Sequence, residues 1–392
     1  MPPRIYFDNA ATTPLDPRVP AAAEPYLNRC WGNPSSMHQE GRHAREAVDT
    51  ARGQVATLIG AEPGEIVFTA SGTEADNMAL WGVALAAGDE PCHVIASSIE
   101  HPAVLECCRG LRRLGAEVTL LPVDGEGIVN PGNLQQAIRP NTRLISIMAA
   151  NNVLGTLQPV AELARIARSR GVLFHTDAVQ AAGKIPIDLR SLPIDLLSLS
   201  AHKLHGPKGI GALFIRKGVK LTPLIDGGGQ ENGRRSGTEN VAGVVGFGRA
   251  AEIARTEMAG EAARLVQIRE FLIDSIQEAI DNAYFIGHRF RRLPGHICLG
   301  FEGMEGEAIK LLLKLDEEGI AISSGSACST NHAGQPSHVL QAIGFNPIKA
   351  RGSLRITLGR FNTMEEAQRL LEILPGVVRS LRPMHGLMSA AI

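Results

Sequence analysis

Four clusters of polar residues in this chain have the types and spacing that reactive chemistry needs. The first is Ser71-Gly-Thr73, where an apolar run (Phe68-Thr-Ala) gives way to a helical pattern through Asn77. Free N–H groups at a helix start, the Thr73 hydroxyl and the close approach allowed at Gly72 would cradle a phosphate. An ordinary N-cap would look the same. The second is His175-Thr-Asp-Ala-Val-Gln180, at the end of another apolar run. Asp177 there is costly without a cationic partner, and a protonated pyridine nitrogen would be one. A plain N-cap is the competing reading for Asp177. The third is Ser198-Leu-Ser-Ala-His-Lys203-Leu-His-Gly-Pro-Lys-Gly209. A lysine just beyond an apolar strand and partly desolvated suits Schiff-base formation. Ser200 and His202 can reach the phosphate of a ligand held at Lys203. The fourth is Ser323-Ser-Gly-Ser-Ala-Cys328, which with residues 329–335 is small, polar and glycine-containing. Such a tract predicts a mobile loop able to carry a thiol. A lysine, a phosphate cradle and an acid that keeps a pyridine ring protonated together point to pyridoxal 5'-phosphate (PLP) on Lys203.

The elements that must position these groups follow from periodicity. Apolar, β-rich runs at 65–69, 93–97, 117–121, 143–148, 172–176, 195–199 and 210–215 read as strands. Helical patterns at 74–87, 103–114 and 160–169 lie between them. Apolar strands with helical crossovers predict an α/β fold with a mostly parallel seven-stranded sheet sandwiched by helices. Ligands in such sheets sit outside the carboxyl ends of the strands. A long helix from about 241 to 279 leads into a smaller α+β domain, with strands near 296–301 and 353–358 and helices near 305–317 and 364–380. The expected division is a cofactor-binding domain at 12–255 and a small domain made of 1–11 and 256–392, which carries the cysteine loop.

Composition narrows the function. The chain has 392 residues, a formal net charge of -1, 44% apolar and 20% charged residues. A sizeable core is therefore expected, and nucleic acid is not an expected partner. The arginines at 289–292 read as a solvated connection. No signal-like N-terminus and no long apolar run is visible, so a cytoplasmic protein without membrane partners is expected. Six cysteines without a CxxC pair predict neither a disulfide framework nor a metal site. Five of them read as small buried hydrophobes and Cys328 as the exception.

The ordered motifs resemble the cysteine desulfurases of the class V aminotransferase group, PLP enzymes of fold-type I. The likeness begins at Tyr6-Phe-Asp-Asn-Ala-Ala-Thr-Thr-Pro14 and runs through Gly32-Asn-Pro-Ser-Ser36 and Glu100-His-Pro102. It continues through Gly227-Gly-Gly-Gln230, Arg235-Ser-Gly-Thr-Glu-Asn240 and Ser323-Ser-Gly-Ser-Ala-Cys328. The resemblance implies that His101 stacks on the cofactor ring and carries protons, and that Asn152 and Gln180 contact ring substituents. Gly72, Thr73, Ser200 and His202 would bind the phosphate. Thr238 would reach the phosphate of a neighbouring subunit in a homodimer. Arg355 would hold the carboxylate of L-cysteine, a task suited to a bidentate guanidinium. Lys203 would remove the substrate α-proton, and the Cys328 thiolate would attack the substrate sulfur. Alanine leaves, and a persulfide on Cys328 passes to an acceptor protein such as an iron–sulfur scaffold or a thiolation enzyme.

Three segments depart from the family pattern. Val153-Leu154 stands where an acidic residue is usual, Leu293-Pro-Gly-His-Ile-Cys298 differs from the usual Pro-Asn-x-x-Asn, and residues 331–335 differ after Cys328. Cys298 reads as structural. The competing functional reading is another class V PLP enzyme, a selenocysteine lyase or an aminotransferase. A transaminase would not need Cys328. The tract before Cys328 resembles the long-loop desulfurases more than the group with Arg-x-Gly-His-His-Cys. No phosphate-binding motif of nucleotide enzymes occurs in a strand–helix setting.

Overall fold

The structure, a computed structural model, describes residues 4–325 and 336–382. The chain opens with β1 (Ile5–Tyr6), α1 (Arg18–Asn28) and α2 (Gln39–Ile59). Strands and helices then alternate: β2 (Ile66–Thr69), α3 (Gly72–Ala86), β3 (His93–Ser97), α4 (Pro102–Arg113), β4 (Glu117–Leu121), α5 (Pro131–Ala137) and β5 (Thr142–Ser146). Next come α6 (Val160–Ser169), β6 (Leu173–Asp177), β7 (Leu196–Ser200) and β8 (Gly211–Ile215). The long α7 (Val241–Ala279) leads to β9 (Ala283–Phe285), β10 (His296–Phe301), α8 (Ala308–Glu317), β11 (Ile320–Ala321) and β12 (Ser323–Ser324). The last elements are α9 (His338–Ala342), β13 (Ser353–Thr357) and α10 (Met364–Leu381).

Seven strands form one sheet in the order β2-β8-β7-β6-β5-β3-β4. Pairing is parallel from β7 to β4, and β8 runs antiparallel to both its neighbours. The predicted mostly parallel α/β sheet is therefore the one that forms. Because β8 reverses direction twice over, β2 points the same way as β7. The carboxyl ends of β2, β3, β5, β6 and β7 thus open along one edge. Alternate residues of each strand feed opposite faces. Ile66, Phe68, Leu197 and Phe214 join α2, α6 and the first half of α7. Val67, Leu196 and Leu213 join α3 and α4. Both faces are covered, which is why β7 and β8 are buried at every position.

A second core begins where α7 changes partners. Up to Ala254 its apolar stripe faces the large sheet. From Leu265 onward, Ile268, Leu272 and Ile276 pack with β10, β13, α8 and α10. No residue between Ala254 and Leu265 is buried. The order β12-β13-β10-β9 makes a small antiparallel sheet. The N-terminus joins this second core, with β1 parallel to β11 and Ile5 and Phe7 buried in it.

Two features of this region differ from the sequence reading. Arg292 is no solvated residue: only 4% exposed, it donates to the carbonyls of Leu154 and His296 at 2.8 Å and lies over the Phe285 ring. Its guanidinium spends its donors on carbonyls that a loop and a strand start leave over, so burial costs less than leaving them unpaired. Ser323 and Ser324, expected in a mobile loop, are strand residues paired with Arg355 and Leu354.

One buried ion pair secures β2 just ahead of Ser71. The Glu231 carboxylate accepts from both terminal nitrogens of Arg52 at 2.7 Å and from the Phe68 N–H at 3.0 Å. The guanidinium lies 4.8 Å from the Phe68 ring centre and also donates to the Ile66 carbonyl. Removing one partner leaves the other charge buried, which costs about 3–5 kcal/mol. Glu231→Ala should lower the urea unfolding free energy by about that amount. A loss within the noise of the measurement would mean that the pair adds nothing to β2.

Candidate active site

A pocket of about 340 Å³ opens at the carboxyl edge of the large sheet. Its lining includes Gly72, Thr73, His101, Asn152, Asp177, Gln180, Ser200, His202 and Lys203. These nine residues were singled out from sequence, and the fold brings them to one place. They arrive from different strand ends. Gly72 and Thr73 follow β2, His101 follows β3, and Asn152 follows β5. Asp177 ends β6, and Ser200 ends β7.

The cradle is built by capping. The Ser71 hydroxyl accepts from the Glu74 N–H at 3.1 Å and so starts α3. The amides of Gly72 and Thr73 in the first turn have no helical acceptor and face the pocket with the positive end of the helix. A Cβ at Gly72 would stand 2.7 Å from Val179 Cγ2 and 3.3 Å from Ser200 Cβ. Only glycine lets the helix start approach the β6 and β7 ends so closely. Lys203 ends a single 3-10 turn after β7. That turn folds back tightly, since a Cβ at Gly206 would meet the Ala201 carbonyl oxygen at 2.8 Å. The Lys203 ammonium donates to the carbonyls of Ala10 and Ala11, the latter at 2.7 Å. His202 bonds through Nδ1 to the Thr12 hydroxyl at 3.1 Å, which leaves Nε2 for the pocket.

His101 is the N-cap of α4. Its Nδ1 accepts from the Ala103 N–H at 3.2 Å, so the proton of the neutral ring sits on Nε2. Asn151 and Asn152 divide their work. Asn151 is wholly buried and holds the turn, accepting from the N–H groups of Val153 and Leu154 and donating to the Ile99 carbonyl. Asn152 lines the pocket, and its carbonyl accepts from Arg355 Nη1 at 3.0 Å. Gln180 donates to the Ala10 carbonyl at 2.9 Å and accepts from Lys184 at 3.2 Å. Arg355 is 1% exposed and pairs with Asp8 at 2.8 Å. It stands beyond Asn152, outside the pocket lining. Thr238 is exposed and does not line this pocket. Cys328 lies outside the described residues.

Burial sets the charges here. It pushes the Asp177 carboxyl up to about 6, against the Val179 N–H and Lys203, which favour the anion. Glu100, whose carboxyl accepts from Ser97 and the Met148 N–H, is driven to about 8. Asp76, also in the pocket wall, is pushed well above the carboxylate range. Desolvation drives the imidazoles the other way: His101 and His202 to about 4 and His175 to about 3. Lys184 falls to about 7.

Of the three departing segments, residues 331–335 lie outside the described residues, and the other two pack inward. Val153 and Leu154 pack with Ile99, Met148, Cys298 and Leu340. Burial holds the Cys298 thiol up at about 12, as a structural cysteine requires. Sequence reasoning missed Asp76, Asp8, His175, Lys184 and His338, which bonds the Glu100 carbonyl at 3.0 Å. Asp76 did leave a signal: it is an acid on the inner, otherwise apolar stripe of α3. Nothing in one dimension marks Lys184 or His338.

The model of the family "Aminotransferase class-V" matches residues 5–370. The chain belongs to that family. It is 50% identical over 378 residues to "Cysteine desulfurase IscS" of Dictyoglomus turgidum, which spans 96% of this chain and 95% of that protein. It is 49% identical over 380 residues to the protein of the same description from Methanosarcina thermophila, across 97% of this chain and 93% of that one. Among solved structures, a NifS-like protein matches with a TM-score of 0.90 at 39% identity, covering 96% of this chain and 100% of its own.

The three depressed histidines make a pH prediction. Each binds a proton more readily when unfolded than when folded, so each contributes stability above its unfolded pKa near 6.5 that is lost as pH falls toward about 4. Asp177, Glu100 and Asp76, which burial raises, act the other way in this window, so the histidine contribution is read by difference: the folding constant of His175→Asn should gain on wild type as pH falls from 6.5 to 4, giving a flatter slope. An unchanged slope in that variant would show that His175 is not held neutral.

Proposed function

We propose that this protein is a PLP-dependent cysteine desulfurase that converts L-cysteine to L-alanine and passes the sulfur, as a persulfide on Cys328, to an acceptor. The observation that carries this reading is one pocket holding an amine, a phosphate cradle and a buried carboxylate at the carboxyl ends of β7, β2 and β6. The residues fit PLP. The space at Gly72 is one a Cβ would fill, and Asp177 sits among groups that give it little cationic company. When bound, PLP supplies the electron sink that makes an amino acid's α-proton removable.

The chain's own residues supply the rest. Asp177 offers its carboxylate to a protonated ring nitrogen. Gly72, Thr73, Ser200 and His202 bind phosphate oxygens. His101 covers the ring with a neutral imidazole and an Nε2 proton. Gln180 and Asn152 hold ring substituents and substrate. Lys203 anchors the cofactor and, once released, takes the α-proton. Arg355 exchanges Asp8 for the substrate carboxylate, a bidentate match. The Cys328 thiolate attacks the substrate sulfur, so that an S–S bond forms as the Cβ–S bond breaks, and the electron pair of that bond goes with the three-carbon skeleton that is protonated and leaves as alanine. Both ends of the segment that carries Cys328 are held at the site. Gly325 donates to the Ser353 hydroxyl, and His338 bonds the Glu100 carbonyl.

The same reading takes residues 12–255 as the cofactor-binding domain, and 1–11 with 256–392 as the small domain. The shift of α7 between two cores near residue 255 supports it. It takes the working form as a homodimer, in which Thr238 serves the neighbouring pocket, in keeping with its exposure and distance from its own lining. It takes the compartment as the cytoplasm, in keeping with the five free cysteines among the described residues. None of the described helices is long and apolar enough to cross a membrane. The acceptor is a protein of iron–sulfur assembly or thiolation.

Incubation with L-cysteine and a reductant should release alanine and sulfide in equal amounts. Cys328→Ala should lose sulfide release by a factor of at least about a hundred while still binding PLP. Full sulfide release by that variant would overturn the persulfide route. Keto-acid-dependent formation of an amino acid would point instead to a transaminase.

A further inference from the structure

The pocket wall carries one acid that the proposed reaction does not use. Asp76 lies one turn into α3, 1% exposed, and lines the pocket together with Asp177. A chain of hydrogen bonds crosses the sheet toward it. The Ser146 hydroxyl on β5 bonds His175 Nδ1 at 2.8 Å, His175 Nε2 on β6 bonds the Ser198 hydroxyl at 3.0 Å, and Ser198 on β7 faces the Asp76 carboxyl, for which its hydroxyl is the one donor at hand. With the Ser198 proton directed at Asp76, the chain has one sense. His175 Nε2 donates to Ser198, and Nδ1 accepts from Ser146. The second oxygen of Asp76, Oδ1, has no hydrogen-bond partner and stands 3.7 Å from His175 Nε2.

The groups that face Asp76 are poor in positive charge. From β6 come Asp177 and His175, from β7 Ser198, from the turn after β3 Glu100, and from α4 the thiol of Cys107. The nearest imidazole, His175, is wholly buried and held neutral. Two carboxylates in one dry space cannot both keep their charge, and the one with fewer donors takes the proton. Asp177 has the Val179 N–H and Lys203. Asp76 has a single hydroxyl.

We propose that Asp76 is a positioning residue held as a neutral carboxylic acid, whose proton leaves Asp177 as the single anion available to the cofactor ring. This rests on the PLP reading given above. Oδ1, which has no hydrogen-bond partner, is where that proton would sit. A second anion beside Asp177 would raise its affinity for a proton and compete with the ring nitrogen for it. The neutral acid avoids this and keeps the geometry of the wall.

The test is Asp76→Asn, which keeps shape and neutrality. Wild type, D76N and D177N are compared as apo proteins and after loading with PLP. D76N should bind PLP within about threefold of wild type and keep the pH midpoint of the bound cofactor's absorbance, whereas D177N should lose roughly tenfold or more. A tenfold loss or a shift of a full pH unit in D76N would show that Asp76 works as an anion and sink the proposal. The apo proteins give a readout independent of PLP. An acid whose folded pKa is raised contributes stability below its unfolded pKa near 3.9 and loses it as pH rises through the folded value. Between pH 5 and 8 the folding constant of D76N should therefore gain on wild type by up to about tenfold per pH unit; a constant ratio overturns the proposal. If wild type fails to bind PLP while this gain appears, the cofactor reading falls and the neutral Asp76 stands. Should D76N not fold, carboxyl-labelled aspartate in wild-type apo protein decides by NMR. One aspartate carboxyl at the protonated shift at pH 7 supports the proposal, and its absence refutes it.

Discussion

An acidic side chain at the end of a buried parallel strand is the constraint on which the site depends. Asp177 is 7% exposed, and water is not available to carry its charge. The protein offers it one backbone N–H and the amine of Lys203. The same desolvation that lifts its pKa keeps His101, His175 and His202 neutral, so imidazoles do not neutralise it. The space is thus short of positive charge by design of the fold. A ligand that brings a cationic ring nitrogen and an anionic phosphate fits this imbalance at both ends. The nitrogen meets the strand-end carboxylate, and the phosphate meets the helix start.

The second core closes the site from the far side. β13 delivers Arg355 against the Asn152 carbonyl and Asp8, so three distant stretches of sequence meet at one guanidinium. Arg292 fastens the neighbouring turn by donating to the Leu154 carbonyl. Arg360 pairs with Asp16 at 2.7 Å and Glu261 at 2.9 Å, between the N-terminal segment, α7 and the end of β13. Such buried pairs add little net stability but fix relative position, because breaking one strands a charge. Arg355 is therefore held at a defined reach from Asp177 and Lys203, which belong to the other core.

How much of this was legible in the sequence follows from where each signal lives. The seven sheet strands and α6, α7 and α10 were readable because strands covered on both faces are rich in apolar residues and the helices have a 3.6-residue stripe. Helix α2 escaped because its inner stripe is mostly alanine and valine amid charged residues. β1, β9, β11 and β12 are two or three residues long, too short for any period. Site residues that abut strand ends, such as Asp177, Ser200 and Lys203, could be inferred from the rule that ligands sit at that edge. Asp76 sits on a helix and Lys184 past a turn, and only the folded chain brings Asp76 to the wall and Lys184 to Gln180 behind it. The Arg289–Arg292 stretch misled because arginine is usually exposed, while Arg292 found three carbonyls to bond.

The replacement of an acidic position by Val153-Leu154 has a structural consequence close to the sulfur path. Val153 follows the pocket residue Asn152, and a Cβ on Gly325 would lie 3.1 Å from Val153 Cγ1. Gly325 therefore sits against the side chains of Val153 and Leu340 and the Ser353 hydroxyl. An acid at that point would need a buried cation or a donor, and neighbouring Arg355 is already engaged by Asp8 and Asn152. Valine removes that demand and leaves Asp8 as the carboxylate paired with Arg355. At Gly325 this packing is joined by the hydrogen bond from its N–H to the Ser353 hydroxyl, both of them uncharged contacts. Their strength then depends on shape and changes little with pH or salt, whereas the charge state of the pocket beside them is set by Asp177 and its neighbours.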